Sequence, residues 1–186
     1  MNDITIAAFI NTDTSASFAA ITWLLIEWNS GKKKPTFIGL MTGAVAGLAT
    51  ITPAAGNITV GSAAFIGILS GVVCYMAVEF KNRMKWDDAL DVWGVHGVGG
   101  VFGTILLGLF ATSLINPGTP DGLFYGGGLG LLVKETLALL AAILWASSFT
   151  GVMLHSINRF VHVKVTDAVQ KSGLDYHIHG EVARVI

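Results

Sequence analysis

Five runs of apolar sequence, at 4–28, 37–52, 61–80, 91–114 and 126–160, constrain this chain more than any other feature. Crossing a hydrocarbon core of about 30 Å takes about 20 residues of helix. Four runs meet that length, and the second is short. In lipid a backbone must satisfy its own polar groups, which leaves helices or closed barrels. Runs of this length predict helices. Composition agrees: 53% of residues are hydrophobic and only 12% charged, where a soluble domain carries about 25% charged residues. The expected fold is therefore an all-α integral membrane bundle of five transmembrane helices over residues 1–160, with a polar tail over 161–186.

The charges sort by side. Lys32, Lys33 and Lys34 lie in the first connection, and Lys81, Arg83 and Lys85 in the third. Arg159, Lys164, Lys171 and Arg184 follow the fifth run, while the second and fourth connections hold no Lys or Arg. With five spans, ten of the eleven basic residues fall on one face, which the positive-inside rule assigns to the cytoplasm. The expectation is a multi-pass protein of the plasma membrane with an outside N-terminus and a cytoplasmic C-terminus. Lys134, beside Glu135, is the exception and reads as an outer interfacial anchor. Lys32 to Lys34 enforce topology and touch acidic headgroups of membrane lipid. A net charge of −1 gives no field for nucleic acid. Met1-Asn2-Asp3 leads almost directly into apolar sequence without a secretory signal, so the first helix inserts itself or the chain begins within something longer.

Glycines recur at helix-packing intervals: Gly39, Gly43 and Gly47; Gly67 and Gly71; Gly99 and Gly103. Small residues at this spacing let helix backbones approach closely in lipid. The fourth run holds His96 within Asp91-Val92-Trp93-Gly94-Val95-His96-Gly97-Val98-Gly99-Gly100. An ionisable side chain at membrane depth is costly and faces the bundle interior or a pathway; the alternative is a neutral core histidine bonded to a backbone carbonyl. No second ligand lies one turn away, so spacing gives no metal site and no cofactor is implied. Asp91, about 140° from His96 around a helix, is expected to cap the start of the span. The single cysteine, Cys74, lies in an apolar run and reads as packing. Asp13 reads as an interfacial or capping carboxylate, with a substrate contact as the alternative. His155 and His162 read as interfacial, and His177 with His179 forms a short His-x-His pair that could hold a metal but lacks further ligands.

The histidine motif resembles the signature of the ammonium transporter family, in its Amt/Mep branch rather than the Rhesus branch. Other segments agree in order: Ala8-Phe9-Ile10-Asn11-Thr12; Glu27-Trp28 with Gly31 and Lys34-Pro35; Gly43 to Leu48 with Ile51-Thr52-Pro53-Ala54; and Gly173-Leu174-Asp175 with His179-Gly180-Glu181. The resemblance implies the last five helices of an eleven-helix fold built from two inverted five-helix repeats plus a final helix. It implies that His96 is the second of two pore histidines, and that Val45, Thr52 and Val92 line a narrow apolar pore. The resemblance also places Thr42 at the pore, where the family often has serine, so a hydroxyl is kept. Trp93 replaces the commoner phenylalanine, and Asp87 and Asp88 match the acidic pair before the span. The implied substrate is ammonium, carried as ammonia. The implied partners are a homotrimer of complete subunits, a PII-type signalling protein at the tail, and an N-terminal half or partner chain supplying the other histidine.

Two functions from different classes remain open. One is the pore-forming part of an Amt-type transporter. The other is a truncated, non-transporting homologue acting as an assembly or regulatory membrane module. A membrane enzyme finds no nucleophile–base pair, metal cluster or nucleotide loop in the sequence.

Overall fold

A computed structural model describes residues 3–30 and 34–181. Lys32, Lys33 and Arg184, counted above in the charge pattern, lie outside the described residues, as does Gly31. Among the described residues the regular structure is helical throughout. Two compact units divide at residues 140 and 141.

The first unit holds α1 (Asp3–Asn29), α2 (Phe37–Ile51), α3 (Val60–Arg83), a π-helical turn (Trp93–Val98) continuing into α4 (Gly99–Phe110), and the beginning of α5 (Gly130–Asn158). The helices α1, α3 and α5 and the continuous stretch Trp93–Phe110 are long and apolar enough to cross a membrane, whereas α2 has 15 residues. At 1.5 Å per residue α2 reaches about 22 Å, short of the hydrocarbon thickness.

The segment after α2 is irregular, with turns from Thr52 to Asn57. Such backbone survives at membrane depth only where protein covers it. Ala54 and Ile58 are fully buried here, and Asn11 of α1 supplies what the broken helix lacks. Its Nδ2 donates to the carbonyl of Ala55 at 2.7 Å and to that of Ile58 at 2.8 Å. Both partners are acceptors, which fixes the orientation of the amide. Replacing Asn11 by leucine strands two buried carbonyls, and each lost partner costs about 1–3 kcal/mol. The expected result is a clearly lowered thermal midpoint in detergent micelles; a midpoint equal to that of the unaltered protein would contradict it.

Helix contacts follow the glycines. A Cβ at Gly47 or at Gly67 would come within 2.5 Å of the Ser15 carbonyl oxygen, so α2 and α3 both press on one point of α1. Ser15 Oγ also donates to the Gly47 carbonyl at 3.0 Å. A Cβ at Gly103 would overlap the backbone carbonyl of Thr50, which brings α4 against α2. At that crossing Thr50, Ser70 and Cys74 are fully buried, with the two hydroxyls 2.8 Å apart. An apolar cluster of Ile51, Ile58, Ile66, Leu106 and Leu107 fills the space between α2, α3 and α4.

The connections gather at two ends. Asn57, from the second, accepts at Oδ1 from Asn116 Nδ2 and Thr119 Oγ1 of the fourth, each at 2.7 Å. Lys34 of the first connection and Asp91 of the third line one cup at the other end with Asn82 at the end of α3. The sequence expectation extended the fourth span to Leu114, but α4 ends at Phe110. There the chain opens, because Asp121 takes the Ser113 N–H at 2.6 Å and Gly122 N donates to the Ala111 carbonyl at 2.8 Å. The Ser113 N–H holds the Asp121 carboxyl below the usual carboxylate range; partial desolvation opposes this, and the hydroxyls of Ser113 and Thr112 reinforce it. A carboxyl lowered by folding stabilises above its unfolded pKa, so this tie is lost as pH falls through the lowered value. The fifth span likewise starts at Gly130 rather than at residue 126. Gly126 and Gly128 have φ of 87° and 66° and belong to the turn before α5.

The second unit carries the remainder of α5, which ends at Asn158 and not at Phe160, then α6 (Asp167–Ser172) and a π-helical turn at Asp175–His179. Trp145 and Phe149 stack one turn apart on α5, their planes 9° from parallel. His155, His162 and His179 are exposed, and the His177 ring bonds the Ser172 hydroxyl at 2.9 Å.

Candidate functional site

The third connection sets the site. The chain leaves α3 at Arg83 and returns through residues 84–92 to the π-helical turn. Asp88 caps that turn: its Oδ1 accepts from Val92 N at 3.0 Å and its Oδ2 from Trp93 N at 2.9 Å. A carboxylate there also meets the positive end of the peptide dipoles. Asp91, expected to be the cap, does something else. Its φ is 56°, which turns its side chain away from the helix start and towards Lys81, whose Nζ lies 2.6 Å from Asp91 Oδ1. Trp93 begins the turn, edge-on to Trp86 at 5.0 Å and tilted on Phe80 at 6.3 Å. The larger indole therefore closes an aromatic contact with the third connection.

Within the turn Gly94 and Val95 are buried, while His96 is exposed. A Cβ at Gly94 would meet Val78 of α3 at 2.7 Å, so that side is packed tight. His96 therefore points out of the helices of this unit, and not into their interior. It lines a groove of about 260 Å³ with Phe37, Ile38, Met41, Thr42 and Val45 of α2, and Leu90 and Val95. The α2 members repeat at three- and four-residue intervals, one face of a helix. The Thr42 hydroxyl donates to the Ile38 carbonyl at 2.9 Å, leaving its oxygen free to accept from the groove.

Of the residues assigned to the pore by resemblance, the groove brings together His96, Thr42 and Val45. Val92 and Thr52 are exposed but do not line it, and the Thr52 hydroxyl donates to the Leu48 carbonyl at 2.7 Å. Ile38 and Thr42 also line the polar cup of about 230 Å³ that holds Glu27, Lys34, Thr36, Glu79, Asn82 and Asp91. These two residues form the wall between the polar and apolar spaces. Glu27 is fixed there by Thr36 N, which donates to Oε2 at 2.7 Å. At the opposite end, Asp13 is exposed and lines a separate groove with Phe9, Thr12 and Leu48.

The family model described as the Ammonium Transporter Family matches residues 1–184. This chain belongs to the ammonium transporter family. A Bacillus subtilis protein named ammonium transporter is 41% identical over 98% of this chain and 45% of its own length. Ammonium transporter Amt1 of Archaeoglobus fulgidus is 38% identical, again over 98% of this chain and 45% of its own. The chain thus spans about half the length of these curated relatives. Among solved structures, Saccharomyces cerevisiae Mep2 superposes with a TM-score of 0.78 at 30% identity, covering 89% of this chain and 38% of that one. Candida albicans Mep2 gives the same TM-score at 32% identity, over 90% and 38%. The all-α membrane fold of an Amt/Mep chain is therefore shown by sequence family and by structure alike.

Two residues with structural roles in this member of the ammonium transporter family are not evident from its sequence. Lys81 enters the charge pattern as one of three basic residues of the third connection, yet it is 5% exposed and ion-paired. Asn11 stood only as one letter of a motif. An amide amid an apolar run was the available signal, since a polar group at membrane depth needs a partner.

Proposed function

We propose that this chain forms one wall of a membrane pathway that carries ammonium nitrogen across the bilayer as neutral ammonia. The observation behind this reading is His96, an imidazole exposed on a groove whose other lining side chains, Thr42 apart, are apolar, and which adjoins a polar cup. An ammonium ion entering a low-dielectric groove would lose hydration that apolar walls cannot replace. Ammonia loses far less. A neutral imidazole donates from one nitrogen and accepts at the other, matching a guest that does both. Thr42 adds one acceptor, and Val45, Ile38 and Met41 exclude water. Val92 and Thr52, which lie outside this groove, would line other parts of the same pathway. The reading requires no covalent chemistry and no cofactor.

The rest of the pathway wall then comes from an N-terminal half or a partner chain, and the complete subunits assemble as a homotrimer in the plasma membrane. The tail faces the cytoplasm and receives a PII-type signalling protein. The test is uptake of ¹⁵N-ammonium or methylammonium into proteoliposomes holding the protein as its cell makes it. Saturable uptake above empty liposomes supports transport. Correct assembly with no uptake overturns it and leaves the chain an assembly module. The topology has its own check: a tag at the C-terminus is expected to resist a membrane-impermeant label in intact cells and to react after permeabilisation. Labelling of intact cells would contradict the orientation.

A further inference from the structure

We propose that Lys81 is the positioning residue for His96, holding the turn that decides which face of the helix the imidazole occupies. The inference rests on the transport reading of His96 and adds a residue outside the groove.

Lys81 stands in the last turn of α3 and differs from its basic neighbours. Arg83 and Lys85 are exposed, as lysines and arginines that merely set topology would be. The Lys81 ammonium is instead buried and reaches both ends of a four-residue turn. Its Nζ donates to the Asp88 backbone carbonyl and to Asp91 Oδ1, each at 2.6 Å. A buried ammonium needs such partners, and these two tie the beginning of the turn to its end.

The tie bears directly on the backbone leading to His96. Asp91 sits at a φ of 56°, a conformation disfavoured for a residue with a Cβ and kept only where its surroundings enforce it. Lys81 is the partner that turns its side chain. The Asp91 carbonyl accepts the Val95 N–H at 2.9 Å, one residue before His96. The Asp88 carboxylate takes the N–H groups of Val92 and Trp93. Both ends of the turn that Lys81 clamps therefore feed hydrogen bonds into the π-helical turn. Wide turns of this kind are rare and occur mostly as single turns. A slip of one residue in helical register rotates each following side chain by about 100°. In the observed register Val95 is 2% exposed and His96 faces the groove. Releasing the clamp lets the turn relax and swings the imidazole off that face.

The experiment uses the whole protein in lipid, labelled with ¹⁵N-histidine. The His96 imidazole signal is assigned by its absence from His96→Ala. Lys81→Met and Asp91→Asn are each expected to shift that signal while the other histidine signals stay in place. Uptake is expected to fall roughly ten- to a hundredfold, as misplacement of a reacting group does, mainly in maximal rate. Lys81→Arg, which can still bond both a carbonyl and a carboxylate, is expected to restore part of both readouts. Asp91→Asn keeps the shape of the turn if Lys81→Met fails to insert. An unmoved His96 signal in both folded variants overturns the proposal. Normal uptake by His96→Ala would instead overturn the transport reading, and the imidazole signal would still decide the role of Lys81.

Discussion

His96→Ala is expected to insert and fold normally and to transport poorly or not at all. Nothing in the packed core depends on the ring: His96 is exposed, and its turn is held by Asp88, by the Lys81–Asp91 pair and by Gly94 against Val78. What the substitution removes is the donor and acceptor facing the groove. Phe37, Ile38, Met41, Val45, Leu90 and Val95 offer only hydrocarbon, so Thr42 alone would remain to bond a polar guest among the lining side chains. One hydrogen bond is worth about 0.5–1.5 kcal/mol net and more where no water competes. The loss expected in methylammonium uptake is accordingly about tenfold or greater. His155→Ala, on the exposed surface of α5, is the matched control and is expected to transport normally. Equal uptake by the two variants would remove His96 from the mechanism.

The largest stability effect is expected on α4. Gly103→Val places a branched side chain where the Thr50 carbonyl already lies. Backbone cannot yield as a flexible side chain can. Either α2 and α4 separate, opening the cluster around Ile51 and Leu106, or the chain fails to assemble. Overpacking of a core costs about 1–3 kcal/mol and sometimes more, and a clash with backbone belongs at the upper end. The neighbouring glycine is a control built into the same helix. At Gly100 an added Cβ meets nothing within 4 Å. Gly100→Ala is expected to be neutral or to stabilise by up to about 1 kcal/mol through helix propensity. Thermal unfolding in detergent, with size-exclusion profiles before heating, would show one variant lost and the other intact. Similar melting of both would mean that α2 and α4 are not in close contact.

These cases show what a sequence discloses and where it stops. The membrane class and the order of helices were legible because hydrocarbon imposes length and apolarity on every span. His96 was legible because an imidazole in such a run stands out. The glycine spacing announced contact but not the partners: Gly47 and Gly67 both pack on Ser15, a convergence that only the folded chain displays. The division of labour between Asp88 and Asp91 could not be read, since either carboxylate could cap the turn and a single left-handed φ at Asp91 decides it. Lys81 was hidden for a similar reason. A lysine near a helix end resembles a topology signal until its burial is known. The outward direction of His96 was likewise invisible, because a π-helical turn changes the register by which faces are counted.

The break after α2 bears on how such a chain enters a membrane. A helix of 15 residues is a weak insertion signal by itself, and the strand of turns behind it brings carbonyls that lipid cannot satisfy. The amide that serves Ala55 and Ile58 belongs to α1, which is synthesised before α2. Vectorial synthesis thus delivers the donor to the bilayer before the acceptors arrive. Exchanging the order of these two helices would keep every contact of the finished bundle on paper while leaving the nascent second helix without its partner.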